Sequence, residues 1–301
     1  MIEIEIPLTR HRAGGRPIAS IASAPEQSHD APARQHLGLE QQRRPAACQA
    51  PPSRRPEQVI VLGSGKGGVG KSVLSVLLAG AFQRRARNVL LLDGAQEGGH
   101  LHLLLGVRPA VHLDEVLTGQ VEAREKLVSV VDRLWLLPSE ASGDRLRAAA
   151  DPLERARLHV KLTAAYEDHD VVVVDGGPGI ESPIRSAVRA DRMIVVAVPE
   201  PASLSDAYAL IKVATMQAPS LPIDVLVNRA AEEREGTAVF ERLDYAARRF
   251  LNRPLSYLGA VPERPSLARA ARMPGGLLVA EAEAQAAVEP IVTRLLETAE
   301  K

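Results

Sequence analysis

The chain reads as an α/β fold: a doubly wound, mostly parallel sheet with helices on both faces. Three observations predict it. From residue 57 onward, apolar strand-like runs alternate with helical ones, the mark of parallel crossover units. The strand-like runs are apolar throughout and do not alternate, so both faces of the sheet are expected to be covered. The first run, Val59–Leu62, passes into a glycine-rich loop and then an apolar helix. Ligands of such sheets sit at junctions of this kind, outside the carboxyl ends of the strands.

Residues 1–56 differ from the rest. They hold Arg/Gln-rich and Pro/Ala-rich pieces with no sustained period, and a disordered N-terminal arm is expected. Residues 57–275 form the expected nucleotide-binding domain, and 276–301 a C-terminal helical tail of the same domain. The expected strands are Gln58–Leu62, Asn88–Leu92, Arg133–Leu137, Val171–Val174, Arg192–Val198, Ile223–Asn228 and Leu255–Val261. The expected helices are Lys71–Arg85, Asp151–Asp168, Ile184–Arg189, Ser203–Met216, Thr237–Phe250 and Ala280–Ala299. Ser203 or Ser205 suits a helix cap, and Ala207, Leu210, Ile211 and Ala214 share one apolar face. Trp135 is expected in the core.

Composition narrows the function classes. The 301 residues are 46% hydrophobic but only 3% aromatic, so the core must be aliphatic. Acidic and basic residues balance at 37 each, so no direct nucleic-acid binding is expected from the molecule as a whole. Cys48 is the single cysteine, which excludes a disulfide framework and a Cys-x-x-Cys metal site. No apolar run approaches a membrane span or a signal core, and a cytoplasmic location is expected. His100 and His102 read as solvated loop residues for want of a third ligand nearby.

The loop GSGKGGVGKS over residues 63–72 carries the chemistry. Gly65–Ser72 fits G-x-x-x-x-G-K-[ST] in full. Gly65, Gly67, Gly68 and Gly70 let backbone N–H groups turn inward onto phosphate oxygens, alongside Val69 and Val73, and the helix N-terminus adds the positive end of its dipole. Lys71 is expected to reach the β/γ-phosphates and Ser72 to bind Mg²⁺. A second cation, Lys66, stands inside the loop. Asp93 and Asp175 end two apolar runs. A carboxylate at a strand's carboxyl end beside such a loop is the expected magnesium partner.

Lys66 followed by Lys71-Ser72 resembles the deviant phosphate loop of the MinD/ParA family of P-loop ATPases, over roughly residues 56–275. The resemblance implies ATP and Mg²⁺ as ligands and a homodimer formed through nucleotide, with Lys66 reaching the phosphates held by the partner subunit. It assigns catalysis to Lys66, Lys71 and Asp93. It places Asn228 on adenine, with Pro262 and Glu263 bordering the base. LHLLLG at 101–106, LDEVLTG at 113–119, LWLLPSEASG at 134–143, EPASLSDAYALIK at 200–212 and YLGAVP at 257–262 are similar to the FlhG/FleN branch, the flagellar-number regulators. That branch implies an FlhF-type GTPase and a FleQ-type transcription regulator as partners, and placement at the membrane or cell pole.

Four departures stand out. The family's Asp-x-Asp pair reads Asp93-Gly94-Ala95 here. Alanine cannot orient or deprotonate water, so slow or lost hydrolysis is expected, with Glu97 a substitute of unjudged reach. Gly-Gly-Pro-Gly follows Asp175 where the family has fewer prolines. No convincing GTPase-stimulating element is found in the arm. The tail is acidic and carries Pro290, expected to break or kink its helix, so weak or no membrane contact is expected. The competing reading is an active MinD/ParA-type ATPase in division-site placement, partitioning or cargo positioning.

Overall fold

The computed structural model describes residues 55–94, 99–108, 123–138, 164–187, 190–279 and 285–299. The arm up to residue 54 and most of the expected helix Asp151–Asp168 lie outside the described residues.

The elements in chain order are β1 (Gln58–Gly63), α1 (Lys71–Arg84), β2 (Val89–Asp93), α2 (Leu101–Leu105), a 3₁₀ turn (Ala123–Lys126), β3 (Val128–Val131), β4 (Leu134–Leu137) and β5 (Val171–Asp175). There follow α3 (Glu181–Ala187), β6 (Arg192–Ala197), α4 (Pro201–Gln217), β7 (Ile223–Ala230), α5 (Glu233–Leu251), β8 (Ser256–Pro262), α6 (Pro265–Ala270) and α7 (Glu289–Ala299). Among the described residues the strands form one sheet in the order β3-β4-β2-β5-β1-β6-β7-β8. Every neighbouring pair is parallel except β3 with β4. This is the mostly parallel, doubly wound α/β sheet that the apolar runs predict.

Each central strand feeds two cores. Ile60 and Leu62 of β1 and Val171 and Val173 of β5 pack with α1, α2 and α7. Their neighbours Val59, Val61, Val172 and Val174 pack with α3, α4 and α5. Burial on both faces explains why these strands lack polar alternation. Aliphatic packing dominates: among the largest fully buried side chains only Phe82 is aromatic.

Three expectations are corrected. Neither Ser203 nor Ser205 caps α4. The helix starts at Pro201, with Glu200 at the cap position and no side-chain cap bond, because proline at the first turn needs no N–H partner. Ser203 Oγ instead accepts a hydrogen bond from the Val198 N–H at 3.0 Å. Pro290 does not break α7, since it is the second residue of that helix and again costs no hydrogen bond. The apolar face of α7 is spent inside the protein, with Ile291, Val292 and Leu295 buried and Arg84 and Arg85 paired to Glu289 at 3.2 and 3.0 Å. Trp135 lies only half-buried, edge-on to His169 with ring centroids 5.2 Å apart.

That histidine carries a pH dependence. His169 is 7% exposed. Burial holds its imidazole below the ordinary value, while nearby backbone carbonyls and Asp168 pull partly the other way. A depressed histidine means the unfolded chain binds the extra proton. The folded state is therefore favoured above the unfolded value of about 6.5, and stability drains as pH falls through the window beneath it. Thermal melts of the purified chain should lose midpoint temperature below about pH 6.5, and His169→Gln should flatten that loss. An identical pH dependence in both proteins would refute the assignment.

Candidate functional site

The phosphate loop is residues 64–70, between β1 and α1. Its shape is fixed from inside and from two sides. Inside, Ser64 Oγ donates to the Lys66 carbonyl at 2.6 Å. On one side, Asn228 of β7 donates its Nδ2 hydrogen to the Val69 carbonyl at 2.8 Å. Gly70 adopts φ 92° there, and a Cβ would come within 2.4 Å of that same nitrogen. On the other side, a Cβ on Gly65 would sit 2.0 Å from the backbone oxygen of Asp206 in α4. No L side chain fits at that distance, and the obstacle is backbone. Gly65→Ala should therefore destabilise the fold by about 1–3 kcal/mol, the usual range for overpacking, and loosen nucleotide binding. A melting temperature equal to wild type would show that the loop does not rest on α4.

The first turn of α1 holds no acidic residue, and its cap has no side-chain hydrogen bond. Its leading N–H groups are thus left for an anion. Gly67 and Gly68 are exposed at the loop tip, Ser72 and Val73 are half-buried, and Lys71 is 6% exposed. Burial pulls the Lys71 ammonium down from its ordinary value, with Asp175 pushing it back up. Asp175 is buried in turn. Burial raises its carboxyl, while the Ser72 hydroxyl, Lys71 and the Gly177 N–H pull it down. The two groups offset each other only in part, burial being the larger influence on both.

Parallel pairing brings the second carboxylate beside the first: Asp93 of β2 is in register with Asp175 of β5. The Leu101 N–H donates to Asp93 Oδ2 at 3.1 Å, tying the start of α2 to this carboxylate. Gly94 N–H donates to the Asp175 carbonyl at 2.9 Å, and Ser182 Oγ donates to the Gly94 carbonyl at 2.8 Å. Ser72, Asp93 and Asp175 present only oxygen donors, the set that suits Mg²⁺, and a cation would offset the burial that raises Asp175. Among the described residues no three His, Cys, Asp or Glu side chains cluster tightly enough to hold a metal alone. Phosphate and water would have to complete the shell.

The structure also shows a contact that local patterns do not signal. Lys66 Nζ lies 2.9 Å from Glu200 Oε2, at the entry to α4, with both side chains substantially exposed. An exposed pair of this kind is worth at most about 1 kcal/mol, so Lys66 can leave it cheaply. Asn228, Pro262 and Glu263 meet at the carboxyl ends of β7 and β8. Asn228 is in register with Val261 and Ala230 with Pro262, and the Glu263 N–H donates to the Ala230 carbonyl at 3.1 Å. Ala95 and Glu97 lie outside the described residues. His100 is the exposed residue at the cap position of α2, whereas His102 lies in the first turn of that helix and not in a loop. Burial, then His100, lowers the imidazole of His102.

The chain is similar to several known proteins. The chain is 36% identical to the antiactivator FleN of Pseudomonas aeruginosa over 219 residues, 72% of this chain and 78% of that one. It is 30% identical to the flagellum site-determining protein YlxH of Helicobacter pylori over 215 residues, 71% and 72% of the two chains. The MinD cell division protein of Aquifex aeolicus superposes with a TM-score of 0.64 at 26% identity, covering 80% of this chain and 97% of that one. No helix among the described residues is long and apolar enough to cross a membrane. Residues 60–273, which hold the phosphate loop, both carboxylates and the β7–β8 edge, match the model of the CobQ/CobB/MinD/ParA nucleotide-binding domain, and the chain belongs to that family.

Proposed function

We propose that this chain is an ATP-binding regulator of flagellar number, flagellar placement or flagellar gene expression, switched by nucleotide-dependent dimerisation, with hydrolysis slow or lost. The supporting observation is the pairing of two lysines with different tasks. Lys71 is buried behind the phosphate loop, and Lys66 stands at its rim on a weak, exposed ion pair. The first suits a nucleotide held in its own subunit, and the second suits phosphates presented by a partner. The similarity to FleN and YlxH supports the flagellar role.

In this reading Gly65–Val73 cradle the triphosphate, Asn228, Pro262 and Glu263 border the base, and Ser72, Asp93 and Asp175 hold Mg²⁺. The ion would supply charge neutralisation along the phosphates. Ala95 leaves the second acidic position empty, so ATP acts as a long-lived ligand. A FleQ-type regulator and an FlhF-type GTPase are the proposed partners. Sedimentation of the full chain tests the core of this proposal. Mg-ATP should convert monomer to dimer, ADP should not, and Lys66→Ala should bind ATP yet stay monomeric. A dimer of equal strength without nucleotide would defeat it.

A further inference from the structure

Strand β7 holds one residue in a conformation foreign to strands. Arg229 has φ 56°, the left-handed region that L side chains disfavour. Four other non-glycine residues share that region, but each closes an element. Ala86 follows α1, Arg133 makes the turn between β3 and β4, Asp168 lies in a turn before β5, and Asn252 ends α5. Arg229 differs from them in standing inside a strand, between Asn228 and Ala230, which are both in register with β8. It is the extra residue of a bulge: Asn228 pairs with Val261 and Ala230 with Pro262, so two steps along β7 meet one along β8. Bulges are uncommon between parallel strands, and beside a site they re-aim a side chain.

The bulge is held on both sides. Asn228 is buried and donates to the Val69 carbonyl at 2.8 Å. Ala230 is buried, and its carbonyl accepts from the Glu263 N–H at 3.1 Å. Strain of this kind persists where the surroundings over-determine it, and it concentrates at ligand sites. Regular alternation would send residue 229 after Val225 and Val227 into the core shared with α4 and α5, a place closed to an unpaired guanidinium. Arg229 is exposed instead, and it makes no ion pair or side-chain hydrogen bond among the described residues.

With the base bordered by Asn228, Pro262 and Glu263 as proposed, we infer that Arg229 is a nucleotide-binding residue whose guanidinium plane covers the purine ring of ATP. None of those three border residues carries an aromatic ring. Arg229 is the group beside them that can stack, since a guanidinium is planar, permanently charged and suited to a ring face. The phosphates have Lys66 and Lys71 for their own charge. The strained backbone thus places a cation on the base and not on the triphosphate.

Calorimetric titration of the full chain with Mg-ATP and with magnesium tripolyphosphate tests this, beside thermal melts. Arg229→Gly and Arg229→Asn both suit a left-handed backbone and both remove the guanidinium. Each should melt at or above the wild-type temperature, yet bind Mg-ATP about 3- to 30-fold more weakly, the scale of a cation over a ring face. Neither should change the affinity for tripolyphosphate, which has no base. Arg229→Lys keeps the charge without the plane, so most of the loss should remain. Unchanged ATP affinity in the glycine and asparagine variants, an equal loss for tripolyphosphate, full recovery by lysine, or melts well below wild type would each overturn the inference. A wild-type chain that binds no Mg-ATP would defeat the nucleotide reading itself, and this assignment with it.

Discussion

Lys71→Ala lowers ATP affinity by about 10²-fold while leaving the fold in place. A hydrogen bond to a charged group contributes roughly 1.5–3 kcal/mol, and about 1.4 kcal/mol is a factor of ten. Lys71 stands at the upper end of that range because it is buried and its charge is weakly screened. The variant also strips Asp175 of a cation. Its carboxyl, already raised by burial, rises further and can take up a proton, so the buried charge is neutralised and folding is spared. The measurement is calorimetric titration with Mg-ATP beside a thermal melt. Unchanged affinity would remove Lys71 from the site, whereas lost affinity with a collapsed melt would mean that Lys71 is structural. Lys66→Ala offers the contrast: its pair with Glu200 is exposed, so the fold and the subunit's own ATP affinity should survive.

The central strands were legible because burial on both faces writes itself as unbroken valine and leucine. Val171–Asp175 and Val89–Asp93 announce both their extent and their acidic ends. The phosphate loop was legible for a local reason too, since its glycines and lysines are contiguous. What escaped is either short or distant. β3 is four residues of half-buried edge strand, alternating between partly buried and exposed positions, and α2 is five residues long. Neither length sustains a countable period. The pair Lys66–Glu200 joins residues 134 apart, and Asn228 reaches Val69 across 159. Such contacts are set by strand order, which no window of residues contains. Pro290 departs from the expectation because a proline's cost depends on its place in the helix: as the second residue it removes no bond, and in the interior it would remove one. The tail's acidity was plain in the sequence, whereas the docking of its apolar side against α1 was not.

Ala95→Asp gives the largest gain. A positioned carboxylate that orients or deprotonates the attacking water contributes about 10²–10⁴-fold, and phosphoryl transfer relies on such positioning because the protein does little covalent chemistry. Asp93, two residues before position 95, is 3% exposed and in register with Asp175, and its carboxylate is held by the Leu101 N–H at 3.1 Å. Position 95 follows Asp93 by two residues, the spacing at which the resemblance places the second acid. Phosphate release with Mg²⁺ present should rise about 10²-fold or more in the variant, while ATP affinity stays level or falls modestly from the added negative charge. A rise in turnover without a gain in affinity is the sign of stabilisation confined to the transition state. If wild type already turns over briskly and Ala95→Asp adds nothing, another group positions the water, and Glu97→Ala must then abolish that activity for Glu97 to be the one. If both proteins stay silent, the loss lies elsewhere. The Gly-Gly-Pro-Gly segment after Asp175 is where to look, because Gly177 and Gly179 hold φ of 71° and 80° on either side of Pro178, and a proline between two left-handed residues restricts the movement that would bring this backbone to the γ-phosphate.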